Sequence, residues 1–138
     1  MNTELLYNFI SKNKYAVLST VTKDNLPEAA LVGIAVTTDL QIIFDTVSTS
    51  RKYQNLIANP SIAFVIGWDS EQTIQYEGIA KIPTTAEEID KLLEIYFKVF
   101  PDGKERKENW KDIAYFRVDP KWIRYSDFNS QKIEELLF

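Results

Sequence analysis

The sequence predicts a mainly β (α+β) domain: a small antiparallel barrel of six or seven strands with helices at its periphery. Three observations lead there. Apolar, β-branched runs at 15–21, 28–36 and 41–44 are separated only by short polar turns. A parallel sheet would need a crossover helix between such runs, so they read as consecutive antiparallel neighbours. Helical periodicity is confined to the two ends and two connections. Finally, 138 residues, 45% hydrophobic and 26% charged, suit one domain over 1–138 with a sizeable core.

Taken in order, Leu5, Leu6, Phe9 and Ile10 share one face at helical spacing, which predicts an amphipathic helix over 3–13. The strand at 15–21 turns at Lys23-Asp24-Asn25-Leu26-Pro27 into a second, nearly apolar strand over 28–36. Gly33 lies inside it, and a strand glycine marks a bulge or a close approach. Thr38-Asp39 leads to a third strand over 41–44. A short helix over 50–58 follows, with Tyr53, Leu56 and Ile57 as its expected buried stripe and Asn59-Pro60 as its stop. Strands are expected over 62–68 and 73–82, with Gly78 permitting a bulge in the latter.

Thr84-Thr85-Ala86-Glu87 reads as a capping box, Thr84 with Glu87 three positions on. Ile89, Leu92, Leu93, Tyr96, Phe97 and Phe100 then mark a long amphipathic helix. Pro101-Asp102-Gly103 ends it, and a charged loop is expected to Asn109. Two strands, 113–118 and 122–126, are expected on either side of Asp119-Pro120, and Ile133, Leu136 and Leu137 suggest a short terminal helix. That apolar end is a candidate interface element, or it docks on its own barrel.

Composition excludes several chemistries. The chain has no Cys and no His. Ser-His-Asp and Cys-His catalysis, thiolate zinc sites and imidazole ligation of heme are therefore absent. A net charge of −4 argues against nucleic acid as a partner. No apolar run approaches a membrane span of about 20 residues. The start Met-Asn-Thr-Glu-Leu-Leu lacks the basic region of a signal peptide, so a cytoplasmic location is expected. The scattered carboxylates Asp69, Glu71 and Glu77 show no pairing suited to acid–base work or to a metal.

The stretch from 42 to 68 carries the functional signal. It reads strand, polar turn, helix, Asn-Pro stop, strand, and its centre is Thr46-Val47-Ser48-Thr49-Ser50-Arg51-Lys52. Hydroxyls and two cations meet where a strand ends and a helix begins. Free backbone N–H groups and the helix dipole suit that place to an anion, such as a cofactor phosphate. The plainer alternative is a capped helix with two solvated cations.

Ala16-Val17-Leu18-Ser19-Thr20-Val21, Asn25-Leu26-Pro27, Phe44-Asp45-Thr46, Ser50-Arg51-Lys52, Asn55-Leu56 and Asn59-Pro60, in that order, resemble the pyridoxamine 5′-phosphate oxidase-like family of flavin-mononucleotide-binding (FMN-binding) split barrels. The resemblance extends through Gly78 to the aromatic run 115–125. It implies a homodimer with FMN in the subunit interface. Thr46, Ser50, Arg51 and Lys52 would meet the phosphate and ribityl chain. The backbone of Leu31, Val32 and Gly33 would run beneath the ring. Trp110, which follows the polar loop 104–109, reads either as a core or dimer contact or as a residue that closes over the ring of the other subunit.

The chain also departs from the oxidase. Ala30 stands where the oxidase has a phosphate-binding Arg, Ala35 where it has a substrate Lys and Thr73 where it has a Gln. The substrate-binding tail has no counterpart before Phe138. Pyridoxamine phosphate oxidation is therefore not expected. The expectation is an FMN-dependent oxidoreductase of the general-stress-protein-like kind. Its small-molecule substrate is open, and its partner would be a nicotinamide donor, NAD(P)H. The alternatives are a non-catalytic, stress-associated flavin-binding or sensing protein, a heme protein of the same fold, and a deazaflavin-dependent reductase.

Overall fold

The computed structural model describes residues 3–138; the reading of the first two positions lies outside them. The elements run α1 (Thr3–Ser11), β1 (Tyr15–Val21), β2 (Pro27–Gly33), β3 (Ala35–Val36), β4 (Ile42–Val47), α2 (Arg51–Ala58), β5 (Ser61–Ile66), β6 (Gln72–Lys81), α3 (Ala86–Val99), α4 (Gly103–Asn109), β7 (Ile113–Asp127) and β8 (Lys132–Leu137). A single 3-10 turn, Asp69–Glu71, joins β5 to β6. The strands form one antiparallel sheet in the order β2-β1-β5-β6-β7-β4-β3, with β8 also on β7. The sheet curls into a split barrel with peripheral helices, as expected, and the described residues contain eight strands rather than six or seven.

The extra strands arise at both ends of the sheet. The expected strand over 28–36 is broken at Ile34. Pro27–Gly33 pairs with β1, and Ala35–Val36 pairs instead with Ile43 and Ile42 of β4. The chain thus passes from one edge of the curled sheet to the other within two residues, and the split lies there. At the carboxyl end, Ile133, Leu136 and Leu137 are in strand β8, not in a helix. The unpaired edge of β7 from Trp122 to Asp127 offers a ladder of backbone partners, and this outweighs the local helical spacing.

β7 is one strand of 15 residues, not two. Pro120 is tolerated because β4 pairs only as far as Val118 and β8 begins at Trp122, so proline falls in the gap between them. On its other side β7 meets β6, whose register slips between Glu77 and Gly78. A Cβ on Gly78 would sit 2.5 Å from the Asp119 carbonyl oxygen, which is why this bulge needs glycine.

The core fills the barrel. Phe44 stacks on Phe116 at 5.3 Å between ring centroids, and Phe64 meets Phe44 edge-on at 6.1 Å. Leu6 and Ile10 of α1 close one end of the same cluster. Inside it the buried Tyr76 hydroxyl donates to the Leu40 carbonyl at 2.7 Å. A second cluster joins Leu92 and Tyr96 of α3, and Phe100 at its carboxyl cap, to Ala35 and Ile43. The cap of α3 is Thr85, whose hydroxyl accepts from the Glu88 N–H at 3.1 Å, one residue later than the predicted box. The predicted stripe of α2 holds for Leu56 and for Tyr53, which packs partly buried against Phe116, but Ile57 is exposed and Asn55 is buried in its place. No described helix is long and apolar enough to cross a membrane.

Candidate functional site

The turn from β4 into α2 is built by side-chain oxygens. Ser50 has an extended backbone, and its hydroxyl accepts from the Tyr53 N–H at 3.1 Å, capping the helix. The same oxygen shares a hydrogen bond with Thr46 Oγ1 at 2.9 Å, and Thr46 is buried. These two hydroxyls therefore shape the turn. Arg51 and Lys52 follow in the first helical turn, where backbone N–H groups lack intrahelical acceptors.

Arg51 and Lys52 line a cleft of about 260 Å³ between α2 and the β1–β2 edge. Leu18, Thr20, Glu28, Ala29 and Ala30 complete its lining. Its volume lies just below the range of about 300–1,000 Å³ usual for small-molecule sites. Ala30, where the oxidase has Arg, leaves room without adding charge.

Glu28 was not singled out in the sequence, yet it is central here. It stands opposite Thr20 in the β1–β2 pair. One carboxylate oxygen pairs with the Arg51 guanidinium. The other accepts from Asn55 Nδ2 at 2.7 Å, and the same amide nitrogen donates to Thr20 Oγ1 at 3.0 Å. Asn55 and Thr20 are both buried. The Thr20–Asn55–Glu28 chain is therefore satisfied internally, as buried polar groups must be. Asn55 had a signal in the sequence, as part of the Asn55-Leu56 motif; Glu28 had none.

The other expected residues fall elsewhere. Leu31 points outward and is exposed, Val32 points into the core, and neither lines the cleft. A Cβ on Gly33 would lie 2.7 Å from Phe100 Cζ, so a close approach at this glycine is made by the ring at the carboxyl cap of α3. Trp110 caps the carboxyl end of α4, half exposed and away from the cleft. The segment read as a charged loop is this helix. Arg106 holds it in place through Asp102 at 2.6 Å and Asp45 of β4 at 3.4 Å. Burial, with the Asp45 charge added and Arg106 partly offsetting it, pushes the Tyr115 hydroxyl up to about 12. This phenol is a neutral packing group at ordinary pH.

A second polar network ties β7 to its neighbours. Asp119 accepts from Arg117 Nε and Gln41 Nε2, each at 2.9 Å, and pairs with Lys81 at 2.9 Å. Arg117 also pairs with Glu88 of α3. Burial alone would raise the Asp119 carboxyl, but the bonds from Lys81, Arg117 and Gln41 outweigh it and hold it below its ordinary value. Among the described residues, no group of three or more metal-ligating side chains is present.

For FMN the fit is local. Two cations at a helix start suit a phosphate, and Ala30 leaves space beside them. Glu28 opposes them, leaving the cleft with two positive side chains and one negative.

The fold and this cleft define a split-barrel protein with a candidate anion site at the start of α2. The chain belongs to the pyridoxamine 5′-phosphate oxidase family, whose model matches residues 3–127. No curated protein matches it. Among solved structures it is similar to a heme binding protein from Mycobacterium smegmatis, with TM-score 0.85 and 13% identity, covering 99% of this chain and 58% of that one. It is similar to HutZ, the heme storage protein from Vibrio cholerae, with TM-score 0.73 and 15% identity over 86% of this chain and 89% of that one. General Stress Protein 26 from Bacillus anthracis str. Sterne gives TM-score 0.72 and 21% identity over 99% of this chain and 100% of that one. At these identities the likeness is one of fold.

Proposed function

We propose that this chain is an FMN-binding flavoprotein that works as a homodimer and acts as an oxidoreductase on a small molecule, with NAD(P)H as a candidate donor. The observation that carries the proposal is the cleft at the start of α2, lined by Arg51 and Lys52, in a chain of the pyridoxamine 5′-phosphate oxidase family. Arg51, Lys52 and the free N–H groups of the first helical turn would hold the phosphate. Bound flavin supplies hydride chemistry, while the protein supplies orientation and exclusion of water. The cleft offers no His or Cys to move a proton.

A cleft of about 260 Å³ is small for a whole flavin, which favours completion by a second copy. So does the outward face of the sheet, where exposed Leu31 and Val65 flank Val17 in one row across β2, β1 and β5. The cytoplasm is the proposed setting. Non-catalytic flavin binding is the alternative within this reading, and turnover with a reductant and an acceptor separates the two.

Heme is the second reading, favoured by the likeness to the Mycobacterium smegmatis and Vibrio cholerae structures. With no His and no Cys in the chain, the iron would need a ligand such as Tyr. Titration of wild type and Lys52→Ala with FMN tests the leading reading. A loss of about tenfold in affinity is expected for the variant, the worth of one charge-assisted phosphate contact. Equal affinities would return Lys52 to solvent.

A further inference from the structure

We propose that Glu28 is the selectivity determinant of the cleft: its carboxylate holds the seat that a ligand's phosphate would take. The proposal rests on the flavin reading above for the ligand, and on the cleft itself for the carboxylate.

The two partners in the Glu28–Arg51 pair are held very differently. The Glu28 side chain is 19% exposed and the Arg51 side chain 83% exposed. Glu28 is fixed from behind by Asn55, which is itself tied to Thr20. Arg51 has no such anchor and can turn away into solvent. The pair also stands between two clefts, of about 260 and about 450 Å³, because both residues line each of them.

A phosphate entering beside Lys52 must draw Arg51 off Glu28, and it then faces a fixed carboxylate. Like charges in one small cleft repel, and Glu28 has little freedom to withdraw. A ligand whose sugar end is an uncharged alcohol meets no such opposition. With Ala30 contributing no cation, Glu28 weakens the one term that would separate FMN from riboflavin.

Glu28→Gln tests this without breaking the local structure, because the amide oxygen still accepts from Asn55 while the charge is gone. The variant is expected to bind FMN about tenfold or more tightly than wild type, with riboflavin affinity unchanged. Adding Arg51→Ala to Glu28→Gln should remove the part of the gain that the released guanidinium provides and leave the part that comes from relieved repulsion. Inorganic phosphate is a second probe: it should raise the melting temperature of Glu28→Gln more than that of wild type.

Equal shifts for both flavins, or no shift for FMN, would overturn the role of Glu28. Failure of every flavin to bind, with phosphate still stabilising Glu28→Gln selectively, would overturn the flavin reading and leave Glu28 as the anion's competitor. Failure of both probes would overturn both.

Discussion

Arg51 ion-pairs with Glu28 in the lining of the cleft, and the buried Asn55 holds the same carboxylate at 2.7 Å. The cation read as the phosphate ligand thus already has an anion. This carboxylate joins β2 to α2, and Asn55 carries the link on to Thr20 of β1.

The first prediction concerns that junction. Asn55→Ala removes the donor to both Glu28 and Thr20 and leaves a partly buried carboxylate short of a partner. A loss of about 2–3 kcal/mol of stability is expected, from the worth of a hydrogen bond to a charged group. Urea unfolding measures it. A change below about 0.5 kcal/mol, the size of an ordinary surface substitution, would show that the chain of bonds does not hold α2 to the sheet.

A second prediction separates packing from ligand at Gly33. An alanine there would press on Phe100, whose ring is held between Tyr96 and Tyr15. Gly33→Ala should cost about 1–3 kcal/mol, typical of overpacking. In a Phe100→Leu background the same substitution should cost much less, and the coupling is the diagnostic quantity. Strict additivity would mean that Phe100 is not what the glycine accommodates.

The third concerns acid. Asp119 has a depressed pKa in the folded state, so its contribution is fully present above the ordinary value of 3.8 and is lost as pH falls through the lower folded value. Below pH 3.8, wild type should therefore lose stability more steeply than Asp119→Asn. Denaturant unfolding at a series of acid pH values gives the two slopes. Parallel curves would show that the network around Asp119 does not favour its charged form.

These contacts differ in how far they were legible in the sequence. The Ser50 cap and the long apolar face of α3 were legible because both depend on residues a few positions apart. Gly78 was legible as a bulge for the same local reason. Glu28 was not, because Asn55 and Arg51 reach it only once β2 lies on β1 and α2 packs beside them. The close approach at Gly33 was legible, but its packing partner Phe100 was not, since that ring lies at the end of α3, far along the chain. Helix α4 has no apolar periodicity to find; its anchor is Arg106, through Asp45 and Asp102. The terminal segment was misread because Ile133, Leu136 and Leu137 fit a helix locally, while the open edge of β7 decided the outcome.

The most direct test of the central claim is FMN titration of the purified chain, followed by flavin fluorescence and the visible absorbance spectrum. Saturable binding with a flavin spectrum, weakened about tenfold by Lys52→Ala, is the predicted result. Absence of binding at high micromolar FMN, with a heme spectrum on addition of heme instead, would contradict it.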